Sequence, residues 1–155
     1  MTSSTDRIEK RLFLRAPQER VWRALSDAGE FGSWFGMELD GPFAAGAHVT
    51  GRVKSHGAHD GVAVAFYIDR VDPTTTFSFR WHPFALDPAV DYSKEPMTLV
   101  TFKLVPAEGG TMLTVLETGF DSIPIERRAD AFEANEEGWA TQMERIEKYL
   151  LLPQS

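Results

Sequence analysis

The chain has 155 residues, 43% of them apolar and 25% charged, with a formal net charge of −7 and no cysteine. That length suits one domain with a real core, and the acidic balance disfavours a nucleic-acid binder, which needs a basic face against phosphate. Without cysteine the chain has no disulfides, thiolate metal sites, iron–sulfur clusters or cysteine nucleophile.

Residues 1–6 read as a disordered polar tail and 7–152 as a single domain. No stretch has the apolar run of a signal peptide or the ~20 apolar residues of a membrane span. The expectation is a cytoplasmic protein, free in solution and not bound to membrane. Arg7 to Arg15 predicts a strand with Ile8, Leu12 and Leu14 on one face, broken by Ala16-Pro17. Proline suits the first turn of a helix, so Pro17 to Ser26 predicts a helix with Val21, Trp22 and Leu25 inward. After the turn Asp27-Ala28-Gly29, a second short helix from Glu30 to Phe35 presents Phe31, Trp34 and Phe35, with Gly36 placed to end it.

The pattern then changes to period two. Turn signals at Gly41-Pro42 and Ala45-Gly46 flank short strands, and His48–Lys54, Val62–Val71, Thr76–Trp81, Thr98–Val105 and Thr111–Thr118 follow as strands. Phe77, Phe79 and Trp81 share one face of their strand, with Ser78 and Arg80 opposite. Val100, Phe102 and Leu104 share another, and Leu113, Val115 and Glu117 a third. Glu108-Gly109-Gly110 predicts a hairpin turn. The 82–96 connection is long, proline-rich and carries Phe84, Leu86 and Tyr92; loops of that length are often functional, and a lid over a cavity mouth is one reading, a structural loop or dimer contact another.

Ile125 to Leu150 predicts one helix, roughly 39 Å long at 1.5 Å per residue. Ala129, Phe132, Glu136, Trp139, Met143, Ile146 and Leu150 recur at spacings of three and four, the mark of one helical face. Glu136 interrupts that stripe, and Gly138 costs about 1 kcal/mol relative to alanine. Either the helix has one weak position, or it closes a cavity and Gly138 leaves room beside the Trp139 indole. The elements together predict an α+β fold: a curved antiparallel sheet of about seven strands covered by a long C-terminal helix, with two short helices after the first strand.

Several short motifs, in order, carry a resemblance. They are Ala16-Pro17 with Val21-Trp22-Arg23-Ala24-Leu25, the pair Trp34-Phe35, and Asp72-Pro73 with Phe77-Ser78-Phe79-Arg80-Trp81. Gly109-Gly110-Thr111-Met112-Leu113-Thr114-Val115 and Glu137-Gly138-Trp139 complete the set. Together they resemble the activator of Hsp90 ATPase homologue 1-like family of the SRPBCC (START/Bet v 1-like) superfamily, over roughly Arg7 to Leu150. The resemblance implies the helix-grip fold, a sheet gripping the last helix around an apolar cavity. It also implies a chaperone partner as one activity of some members. The turn Phe43-Ala44-Ala45-Gly46-Ala47 and the long 82–96 loop depart from the family pattern.

Cofactor motifs are missing: no glycine-rich dinucleotide or phosphate loop, and no nucleophile elbow. His56-Gly57-Ala58-His59 has ligand-like spacing, but a glycine-containing polar loop does not preorganise it, and His48 and His82 lie on other segments; neither metal nor cofactor is expected. The expected function is a soluble protein holding a small hydrophobic ligand in an aromatic-lined cavity. The candidate lining is Trp22, Phe31, Trp34, Phe35, Phe77, Phe79, Trp81, Phe84, Phe102, Val115, Phe132, Trp139 and Met143, with Glu117 and Glu136 as carboxylates aimed inward. A buried carboxylate must be paired or protonated, so a polyketide cyclase/aromatase-like enzyme using one of them is the alternative. A stress-response partner of an Hsp90-type chaperone is a third reading, and a homodimer stays open.

Overall fold

The computed structural model describes residues 6–87 and 89–151. Its elements run β1 (Arg7–Leu14), α1 (Gln18–Ser26), α2 (Ala28–Phe35), β2 (Met37–Leu39), β3 (His48–Val53), β4 (Ala63–Asp72) and β5 (Thr76–Trp81). Then come β6 (Thr98–Ala107), β7 (Gly110–Thr118), a 3-10 turn at Phe120–Ser122 and α3 (Ile125–Leu150). All strand pairs are antiparallel, in the order β1-β7-β6-β5-β4-β3-β2. The two short helices carry the chain from one edge of this curved sheet to the other, and α3 packs against its buried face. This is the α+β helix-grip arrangement that the sequence predicts.

Boundaries move by a residue or two. Asp27, expected in a turn, caps α2: its carboxylate accepts from the Glu30 N–H at 2.9 Å, and Ala28 and Gly29 are already helical. Gly36 ends α2 in the left-handed conformation (φ 87°), donating to the Gly32 carbonyl at 2.9 Å. The β6–β7 hairpin needs its second glycine for space: a Cβ on Gly110 would sit 2.0 Å from the Leu14 carbonyl oxygen. In β4 the register slips between Ile68 and Arg70, and the extra residue, Asp69, reaches Ser78 Oγ at 2.9 Å and Arg80 at 3.2 Å.

The core is built around Phe31, whose ring has seven others within 6.4 Å of its centroid. They come from α2 itself, from the Phe43 turn and from β4, β5 and β6, so α2 drives one ring into the middle of the sheet's inner face. Aromatic pairs at such distances add about 0.5–1.5 kcal/mol beyond area burial. The Phe43 turn, where the chain departs from the family pattern, therefore still supplies a core ring.

Residues 1–5 of the expected tail, Pro88 of the long loop and residue 152 lie outside the described residues. Asp6, assigned to the tail, is tied down. Its carbonyl accepts from Gly119 N–H at 3.1 Å and its carboxylate from Asp121 N–H at 3.1 Å.

Candidate functional site

The aromatic packing stops short of one end of the sheet, where a cleft of about 330 Å³ opens between β5, α2 and α3. This is the lower end of the size range of small-molecule sites. Trp81, at the end of β5, and Trp139, in the middle of α3, form its floor, their ring centroids 5.9 Å apart and tilted by 31°. Phe35 closes one side, 6.1 Å from Trp81 and 5.9 Å from Trp139. Gly138 adds no side chain, and a Cβ there would meet nothing within 4 Å. The missing methyl is thus part of the open space.

Behind the floor lies Glu117, fully buried on β7. Its Oε1 accepts from Trp139 Nε1 at 2.7 Å and from Asn135 Nδ2 at 2.9 Å. Its Oε2 accepts from Trp81 Nε1 at 2.7 Å, Thr98 Oγ1 at 2.5 Å and Asn135 Nδ2 at 3.1 Å. Desolvation pushes this carboxyl's pKa up, opposed by the bonds from Thr98, Trp81, Trp139 and Asn135. An indole N–H can only donate. The carboxylate therefore holds both rings by their polar edges and leaves their apolar faces to the cleft.

The fourth side is the 82–97 loop, which brings Phe84, Ala85 and Leu86 to the cleft. Arg127, in the first turn of α3, fastens it. Its guanidinium donates to the Pro83 carbonyl at 3.0 Å, the Phe84 carbonyl at 3.1 Å and Glu95 Oε1 at 3.0 Å, and lies 4.7 Å from the Tyr92 ring centroid. His82 Nε2 lies 3.1 Å from the Glu95 carbonyl. Phe84 holds a left-handed backbone (φ 51°), which costs a bulky residue of order 1 kcal/mol or more. The clasp on its carbonyl and its neighbour's supports that conformation.

Of the candidate residues, Phe35, Trp81, Phe84 and Trp139 line this cleft, and Glu117 stands behind it. Phe31, Trp34, Phe77, Phe79, Phe102, Val115 and Met143 are in the packed core, with Trp34 Nε1 donating to the Ala24 carbonyl at 2.8 Å. Trp22 is half-buried beside that core, and Phe132 packs on Phe120 at 5.3 Å. Glu136, expected inward, points to the rim of β1, where it pairs with Lys10 Nζ at 2.6 Å and stays 43% exposed. The inward stripe of α3 runs through Ala131 and Asn135 to Trp139, while Ala129 is exposed.

Asn135, Gln142 and Arg145 join the cleft wall without having been singled out by sequence. Their polarity hid them, although each sits three or four residues from its neighbour along the face of Trp139. Among the described residues, no group of three or more histidine or acidic side chains could hold a metal ion. His48 stacks on Tyr67 at 4.2 Å, away from the cleft.

Residues 15–151 match the profile of the family described as activator of Hsp90 ATPase homolog 1-like protein. The chain belongs to that family. Among solved structures it is similar to protein MLL2253 from Mesorhizobium loti, with 28% identity, 93% of this chain and 96% of that one covered, and a TM-score of 0.72. It is also similar to DynU16, from the dynemicin biosynthetic locus, at 26% identity and a TM-score of 0.69. That match covers 94% of this chain but only 47% of the other. The Aha1 dimer from Colwellia psychrerythraea shares the fold at 15% identity, with a TM-score of 0.71 and 96% and 98% of the two chains covered. No curated protein matches the chain. The Glu137-Gly138-Trp139 motif places its glycine and tryptophan in the cleft and leaves Glu137 exposed. No helix among the described residues is long and apolar enough to cross a membrane.

Proposed function

We propose that this protein binds a small, flat, apolar molecule in the cleft, with the ligand's ring on the faces of Trp81 and Trp139. The observation that carries the reading is the pair of indoles pinned by their N–H groups to Glu117, 2.7 Å on each side, with their faces lining about 330 Å³ of mostly apolar space. Rings fixed before binding lose no rotamer freedom when a ligand arrives, which favours affinity.

Catalysis by either carboxylate has less support. Glu117 is sealed from the cleft with both oxygens occupied by donors, and Glu136 is engaged with Lys10. A general base must come within hydrogen-bond reach of the proton it takes. A chaperone partner, suggested by the family, and a homodimer, for which the similar Aha1 dimer is the precedent, draw on none of this geometry. The test uses methyl 2-naphthoate, a neutral two-ring probe, titrated into the purified protein by calorimetry while the indole N–H resonances are followed by NMR. Saturable binding that moves the Trp81 and Trp139 signals supports the reading; no heat and no shift up to millimolar probe overturns it.

A further inference from the structure

We propose that the ligand is a planar aromatic carboxylate, its ring on the tryptophan floor and its carboxylate on Arg145. This rests on the cleft being a ligand site and narrows what that site takes.

The first observation is a charge reversal. The chain has 23 acidic residues against 16 Lys and Arg, so it is acidic as a whole. Yet the ionisable residues lining the cleft are Lys54, His59, His82 and Arg145, and no Asp or Glu lines it. The nearby carboxylate, Glu117, is walled off behind the indoles with its acceptor sites filled. A small anion entering here meets Lys54 and Arg145 and no carboxylate, in a protein whose net charge is negative.

The four residues are not equivalent. Lys54 Nζ is paired with Glu38 at 2.8 Å on the open surface, and His82 is engaged with the Glu95 carbonyl. Arg145 makes one hydrogen bond, from Nη1 to the neutral Phe35 carbonyl at 3.2 Å, and no carboxylate pairs with it among the described residues. A guanidinium offers five N–H donors in a planar fork, so most of its donors stay free for a carboxylate, the partner that fork fits best. It is also held in place. Nη1 lies 2.9 Å from where a Cβ on Gly36 would be, so the bare glycine at the end of α2 is what lets the group lie against that corner.

Position agrees with charge. Trp139, Gln142 and Arg145 follow one another along α3 at intervals of three residues, and all three line the cleft, from the buried indole to the exposed guanidinium. Six residues of helix rise roughly 9 Å, comparable with the long dimension of a two-ring aromatic acid. Gln142 adds a second polar feature on that wall. Its Nε2 donates to the same Phe35 carbonyl at 3.0 Å, which fixes the amide's orientation and leaves Oε1 enclosed with no donor among the described residues. An enclosed acceptor without a donor is costly.

The test compares 2-naphthoate with its methyl ester by calorimetry, on the wild type, Arg145→Ala and Arg145→Gln, the last keeping an N–H for the Phe35 carbonyl. The acid should bind about three- to tenfold tighter than the ester in the wild type, the gain that charge-assisted bonds to an exposed, solvent-screened guanidinium imply. That ratio should fall toward one in both variants, and should shrink at high salt in the wild type. Equal affinity of acid and ester, or a preference that survives loss of Arg145, overturns the carboxylate assignment while the cleft itself still binds. Failure of both probes to bind the wild type overturns the cleft reading and this inference together.

Discussion

Trp81 and Trp139 donate their indole N–H groups to opposite oxygens of one carboxylate, Glu117, each at 2.7 Å. One ring comes from β5 and the other from α3, so a single side chain on β7 ties sheet to helix at the place where packing gives way to open space. Thr98 and Asn135 complete a set made entirely of donors.

Replacing Glu117 by alanine should leave those donors facing nothing, at a cost of about 3–5 kcal/mol. The expected drop in melting temperature is roughly 10 °C or more for a domain of this size. Glu117→Gln should be milder and asymmetric. An amide can accept on one side only, and the Thr98 hydroxyl can turn round to accept from the new NH2 whereas an indole cannot. One of the two indole resonances should then lose protection from exchange while the other keeps it; equal behaviour of both would contradict the network described.

The pH dependence of stability follows from the same group. Desolvation raises the Glu117 pKa in the folded state, so between the usual glutamate value and the raised one the native protein holds a proton that the unfolded chain has lost. Its contribution is complete below the usual value and disappears as pH rises through the raised one. Denaturant titrations at a series of pH values should show wild-type stability, relative to Glu117→Gln, declining across that window. A difference independent of pH would remove the linkage.

Gly138 separates stability from binding. Alanine at this position should stabilise α3 by about 1 kcal/mol, because its Cβ meets nothing within 4 Å. Leucine should keep the fold but fill the cleft, so its melting temperature should hold while binding of methyl 2-naphthoate is lost. A large fall in stability for either variant would mean that the space is needed for packing.

Arg127→Met should free the 82–97 loop without unfolding the domain. Losing two carbonyl bonds and the half-buried pair with Glu95 should cost about 1–3 kcal/mol. Limited proteolysis should cut between residues 82 and 97 faster than in the wild type, and probe dissociation should speed up. An unchanged cleavage pattern would show that the loop is held by other contacts.

The architecture was readable because period-two and period-3.6 patterns are set by backbone geometry, and the strands carry them cleanly from Thr76 to Thr118. The cleft was less so. The rings Phe31, Phe77, Phe79 and Phe102 were expected to line a cavity, but hydropathy does not tell a ring facing a void from one facing another ring, and α2 brings Phe31 among them. The two carboxylates were equally ambiguous. Counting back from Trp139 by four and four gives Asn135 and Ala131, and by three and then four gives Glu136 and Phe132; both routes fit a helix of 3.6 residues per turn. Only packing chooses, and it puts Asn135 in and Glu136 out. Arg145 and Gln142 were missed because polar residues at the end of an apolar stripe look the same whether they face water or the mouth of a site.

The Lys10–Glu136 pair has an effect beyond local electrostatics. Lys10 lies on the inward face of β1, the long free margin of the sheet, between buried Ile8 and Leu14. A foreign strand trying to lengthen the sheet there would have to set its own oily side chains beside a capped ammonium group, not beside a continuous greasy strip. An inward-pointing charge on a terminal strand is a deterrent to such growth. The residue that failed to reach the cleft thus helps keep this margin from becoming a seed for fibrils.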